Sequence, residues 1–168
     1  VLRDLRHPEG GFFSAEDADS LDDDGHSHEG HFYVWSKQQF TDVLPQELAK
    51  QAIEWYEITE EGNFEGTNIP ARLHHRGDIT RPAEIEKARR ILFDSRKTRV
   101  RPGLDDKVIT EWNAMMLSTI AEAASLMGRA DWLEAALLNG EFLVNNLRDE
   151  NGEWKRSWHD SGSPKARH

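Results

Sequence analysis

Two acidic tracts in this sequence have the residue types and spacing for chemistry. Asp105-Asp106-Lys107 lies in RPGLDDKVITEWNAMM, residues 101–116, just ahead of the strongest helical pattern, and Glu16-Asp17-Ala18-Asp19 lies in GGFFSAEDADS, residues 10–20. Hydrolysis of a glycosidic bond needs two carboxyl groups across it, about 5 Å apart for retention or about 6.5 to 9.5 Å for inversion. Sequence neighbours point in different directions, so a working catalytic pair would join Asp105 or Asp106 to Glu16, Asp17 or Asp19. Lys107 favours the ionised form of an adjacent carboxylate, which suits a base or nucleophile and opposes a general acid. It is also placed to bind substrate. Trp112 and Asn113 complete the candidate binding set, the indole stacking on a sugar face and the amide bonding hydroxyls. The same residues have a plainer reading: acids ahead of a helix bond its backbone N–H groups, and a tryptophan in its first turn is buried.

DSLDDDGHSHEGH, residues 19–31, invites a metal assignment. As a calcium loop with Gly25 at the sixth position, it would put Ser20 first and His31 last, where the motif needs Asp and Glu. His26, His28 and His31 offer nitrogen donors, but a flexible loop fixes no fourth ligand, so the sequence assigns no metal. His74-His75 and His168 are single features of polar connections. Arg96 to Arg101 reads as a helix end and linker, since basic residues complement a helix C-terminus. No phosphate-binding glycine loop, HExxH helix or nucleophile elbow is present, and no cofactor is expected.

The elements that must position these residues are mainly helices. Ser36 and Gln39 have capping-box spacing, Pro45 separates that short helix from a second over residues 46–58, and Pro82 fits the first turn of a third. The fourth runs from about Glu111 to Met127, with Thr110 as cap, Gly128 as left-handed terminator, and a buried stripe of Trp112, Met115, Met116, Thr119, Ile120, Ala123 and Leu126. Asp131 and Glu134 give a second capping-box spacing for a fifth helix, ending near Leu147 and burying Trp132, Leu133, Ala136, Leu137, Leu143 and Val144. The short link makes the last two an antiparallel hairpin. FFSAEDADS and HFYVWS read as strands flanking a long loop, residues 63–69 as an extended piece, and residues 153–160 as a last short strand before a basic tail.

The 168 residues suffice for one domain, and 37% hydrophobic content with six tryptophans supports a packed core. A net charge of -10 disfavours nucleic acid and anionic lipid as partners. With no cysteine the chain forms no disulfide or thiolate site. No membrane span or export signal is legible, and the cytoplasm is the expected compartment.

GGFFSAEDADS, EGHFYVWS and RPGLDDKVITEWNAMM, in that order, resemble a family of thioredoxin-like-domain proteins that includes bacterial YyaL and spermatogenesis-associated proteins. The resemblance runs from about Gly10 through the helix after Asp131. In that family a thioredoxin-like domain precedes a six-hairpin, glycosidase-like (α/α)6 barrel. The resemblance therefore implies that residues 1–168 are a single fragment of the barrel region without the thioredoxin-like domain: mainly α, a partial (α/α)6 toroid with short β-hairpins. It implies a carbohydrate-type substrate or ligand, with hydrolase or epimerase chemistry if the parent is active. The alternative is a noncatalytic scaffold or interaction module for the attached thioredoxin-like domain. A partial toroid also leaves helices that would self-associate or meet other helices. Ala114 stands where the family usually has glycine, and the histidine-rich tract is longer than the family's.

Overall fold

The computed structural model describes residues 1–74, 76–77 and 80–159. His75, His168 and the basic tail lie outside them. In chain order the elements are β1 (Ala15–Glu16), β2 (Asp19–Leu21), β3 (Ser27–Glu29), α1 (Lys37–Val43), α2 (Gln46–Trp55), α3 (Ala83–Arg96), β4 (Leu104–Asp105), β5 (Val108–Ile109), α4 (Thr110–Met127), α5 (Ala130–Leu147) and β6 (Ser157–Trp158). Among the described residues the chain is thus mainly helical, with three short antiparallel strand pairs, β1 with β4, β2 with β3 and β5 with β6. It divides into two compact units, residues 1–17 with 103–168 and residues 18–102. Among the described residues no helix is long and apolar enough to cross a membrane.

The described residues of the second unit form a three-helix cluster. Ser36 and Gln39 form the capping box at the start of α1, the side chain of each accepting from the other's backbone N–H. Pro45 then starts α2 by breaking the pattern. Trp35, Phe40, Leu44, Leu48, Ala52 and Leu92 make its core. Buried Asn68 holds the connection after α2: its Nδ2 donates to Trp35 O at 3.2 Å and Thr59 O at 3.0 Å, and its Oδ1 accepts from Thr59 N. The basic stretch after α3 does more than the linker reading allows. Arg99 Nη1 donates to the carbonyls of His31, Phe32 and Val34, and its guanidinium lies 4.1 Å from the Trp35 ring centroid. Burial lowers its pKa from the usual arginine value.

HFYVWS is not a strand. Its carbonyls turn toward Arg99, Trp35 bridges Asn68, and residues 12–20 divide between β1 and β2. The expected long loop is a short hairpin, with Ser20 opposite His28.

In the first unit α4 and α5 form the predicted hairpin, closed by Gly128 at φ 61°. Their buried faces differ from the predicted stripes. α4 buries Asn113, Ile120 and Ala124 while Trp112, Met115 and Leu126 are exposed; α5 buries Ala135, Ala136, Asn139, Phe142, Leu143 and Leu147 while Leu133, Leu137 and Val144 are exposed. Both helices are apolar on two faces, so periodicity alone does not choose the inner one. Two buried asparagines settle the choice. Asn113 Oδ1 accepts from Phe12 N at 2.7 Å, and its Nδ2 donates to Phe12 O and Ile109 O, both at 2.9 Å. Asn139 Nδ2 donates to Gly10 O and to Asn113 Oδ1. The loop bearing Gly10-Gly11-Phe12 is thereby bound to both helices. Gly10, at φ 112°, lies so close to α5 that an added Cβ would stand 2.5 Å from Leu138 O.

The predicted caps of these helices also fail. The Thr110 hydroxyl donates to Lys155 O instead of capping α4, and Asp131 pairs with Arg129 instead of capping α5. Thr110 N donates to Arg156 O, securing the β5–β6 pair at the head of α4.

Candidate functional site

The two acidic tracts meet through a strand pair. β1 runs antiparallel to β4, with Ala15 opposite Asp105 and Glu16 opposite Leu104. A hydrogen bond from Asp17 N to Gly103 O at 2.7 Å carries the ladder one residue further. Side chains alternate between faces along a strand, so Ala15, Asp17, Gly103 and Asp105 share one face and Glu16 and Leu104 the other. Gly103 confirms this geometry: a Cβ built on it would stand 3.9 Å from Asp17 Cβ and 4.0 Å from its Oδ2.

Asp105 is the best defined of the acids. Its Oδ2 lies 3.0 Å from Lys107 Nζ and its Oδ1 accepts from Lys107 N at 3.3 Å, while its carbonyl accepts from the Ser14 hydroxyl. Burial pushes the carboxyl up, but the Lys107 ammonium, the Ser14 hydroxyl and the Lys107 N–H outweigh it, so Asp105 sits below the usual carboxylate value. It is therefore ionised near neutral pH. Asp106 is half-buried in the short connection from β4 to β5. Asp19 belongs to the second unit, where it opens β2 opposite Glu29 and accepts from the Ser27 hydroxyl.

Lys107 and Trp112 line one open cleft of about 360 Å³, together with Ile109, Glu111, Arg156 and Ser157. The β5–β6 pair supplies one wall and the first turn of α4 the other. Trp112 is 53% exposed, so its indole is a surface of the cleft and not part of the core. Asn113, one residue on, is 2% exposed with its amide bonded to Phe12, Ile109 and Asn139, which makes it a positioning residue behind the cleft. Sequence reading missed Arg156, seen only as part of a terminal strand, and Ser14, whose bond to Asp105 depends on the β1–β4 register. A larger hollow of about 530 Å³ in the second unit runs between Lys37, Thr41, Glu47, Lys50 and Ile53. It has no aromatic platform.

The class defined at this point is a mainly helical protein whose short strand pairs gather acidic and aromatic residues at the head of a helical hairpin. No family model matches the chain. Spermatogenesis-associated protein 20 of Rattus norvegicus is 29% identical over 187 aligned positions, covering 94% of this chain and 24% of that protein. The Homo sapiens protein of the same name is 28% identical over 178 positions, covering 89% and 23%. The chain is thus related to the spermatogenesis-associated protein 20 family, as its three motifs imply, and it spans about a quarter of the length of these relatives.

Proposed function

We propose that the first unit carries a site for a carbohydrate or similar polyhydroxylated ligand, with Asp17 and Asp105 as its carboxyl pair and Trp112 as its stacking platform. The observation that carries this reading is the register of β1 with β4. Asp17 faces Gly103, two residues from Asp105 on the same strand face, and the Cα atoms of such diagonal positions lie about 7 to 8 Å apart. In this reading the carboxyl groups carried at those positions stand roughly 6.5 to 9.5 Å apart, the separation used for inversion, which leaves room for a water. Asp105, held ionised, takes the proton from water as its oxygen bonds the anomeric carbon. Asp17 gives a proton to the departing oxygen. Lys107 keeps Asp105 charged, and Arg156 offers hydrogen bonds to ligand oxygens across the cleft. Glu16, on the other strand face, and Asp106, beyond β4, are secondary candidates.

The shell proposed for this site is part of an (α/α)6 six-hairpin toroid. The α4–α5 hairpin supplies one repeat, and exposed Met115, Leu126, Leu133, Leu137 and Val144 provide apolar surface for neighbouring helices or a second copy. One observation favours the alternative of a noncatalytic scaffold serving an attached thioredoxin-like domain: both Asp105 oxygens are engaged by Lys107.

Calorimetric titration with a panel of neutral and acidic oligosaccharides tests the site. The wild-type chain binds at least one member, Trp112→Ala weakens it at least tenfold, and Asp105→Asn retains binding while losing any hydrolysis. Failure of the wild type to bind any glycan overturns the proposal; binding without turnover favours the scaffold.

A further inference from the structure

Between Asp22 and His28 the sequence places an oxygen or nitrogen donor at every second residue, Asp22, Asp24, His26 and His28. In an open loop these donors have no fixed relation. The structure makes the segment a hairpin: Ser20 faces His28, Leu21 faces Ser27, and Asp22 N donates to His26 O at 2.9 Å, with Gly25 at φ 83° turning the chain. Buried Ser20 anchors the base by accepting from Phe32 N at 2.9 Å.

One carboxylate organises the turn. Asp22 Oδ1 accepts from Asp24 N at 3.0 Å and from His26 N at 2.8 Å, which fixes the orientation of Oδ2. Oδ2 lies 3.0 Å from His28 Nε2 and 3.8 Å from His26 Nδ1. Donor atoms of Asp22, Asp24 and His26 all lie within 4.8 Å of one another. Ligands at about 2.0 to 2.1 Å from a tetrahedral ion are separated by roughly 3.3 Å, a value bracketed by the two Asp22 to histidine distances. Three donors thus already converge, and His28, held against Asp22 Oδ2, stands beside them as the fourth.

We propose that the β2–β3 hairpin binds a zinc-class divalent transition ion through Asp22, Asp24, His26 and His28. Imidazole with carboxylate suits zinc, cobalt, nickel or copper, whereas calcium and magnesium prefer an all-oxygen set. Asp23 and Glu29 add negative charge that draws a dication to the turn. His31 stands next to the set, its ring centroid 6.1 Å from that of His28. The site belongs to the second unit and is independent of the glycan reading.

The test is a visible-absorption titration of untagged, metal-stripped chain with cobalt(II), followed by displacement with zinc(II). One saturable site is expected, with the intense d–d bands of a tetrahedral nitrogen and oxygen set, lost on adding one equivalent of zinc. Asp22→Asn keeps the amide oxygen that the turn requires and is expected to weaken binding at least tenfold, as is His26→Ala with His28→Ala. Circular dichroism confirms that both variants are folded. His74→Gln removes the histidine of another carboxylate pair, His74 Nδ1 to Glu57 Oε2 at 2.9 Å, and leaves the titration unchanged. Absence of saturable cobalt binding overturns the proposal, as does wild-type affinity in the Asp22 and double-histidine variants.

Discussion

Replacing Asn113 with alanine separates a ligand-binding residue from one that holds the loop behind the cleft. The amide makes four hydrogen bonds: one from Phe12 N, one to Phe12 O, one to Ile109 O and one from Asn139 Nδ2. Each intramolecular hydrogen bond contributes roughly 0.5 to 1.5 kcal/mol net, and buried groups left without a partner cost more than the bonds they lose. The losses fall on Phe12, Ile109 and Asn139, and the expected destabilisation is about 3 to 4 kcal/mol. Urea denaturation followed by circular dichroism measures it, and hydrogen exchange of the Phe12 amide locates it. The structure predicts a lower denaturation midpoint and loss of Phe12 protection. A change under about 1 kcal/mol with Phe12 still protected would refute the clamp, because a lost buried network costs more than that.

Two further substitutions test the frame. Gly10→Ala places a Cβ 2.5 Å from Leu138 O at φ 112°, so overpacking and backbone strain together are expected to cost about 2 to 4 kcal/mol in thermal or urea unfolding; an unchanged midpoint would contradict that close approach. Glu86 bonds Arg89, Arg81 and Arg90, and its carboxyl is lowered to about 2 from 4.5, chiefly by Arg89. Because the folded pKa is depressed, the stabilisation is complete above the unfolded value of 4.5 and is lost as pH falls through about 2. Glu86→Gln is therefore expected to melt below wild type at neutral pH, and the gap to close as pH falls across that window; a gap independent of pH would contradict the ion-pair origin.

What the sequence shows clearly here is local chemistry. The Ser36 and Gln39 capping box, the break at Pro45 and the turn at Gly128 each depend on a few adjacent residues, and each is present in the structure. Thr110 and Asp131 had the same local credentials but found other partners, Lys155 O and the Arg129 guanidinium. Their side chains were claimed by groups that local spacing does not reveal. The buried asparagines were harder still, since a polar residue on an apolar helix looks like part of its outer face. Asn113 and Asn139 instead face inward because the Phe12 loop supplies the bonds that make their burial tolerable.

The candidate site was legible in its residue types and hidden in its geometry. Acidic tracts far apart in sequence were recognisable as possible partners, but only the register of β1 with β4 says that Asp17 shares a face with Asp105 and Glu16 does not. Trp112 could be read equally as a core residue or a platform; the inward turn of Asn113 leaves the indole at the surface. The histidine-rich tract shows the same limit, because its donors converge only when cross-strand bonds form the hairpin.

The central claim is tested most directly by mapping backbone amide shifts in two-dimensional nuclear magnetic resonance spectra as an oligosaccharide is added. The account predicts saturable changes concentrated at residues 15–17, 103–112 and 156–157. Shifts confined to other surfaces, or none under saturating glycan, would contradict it.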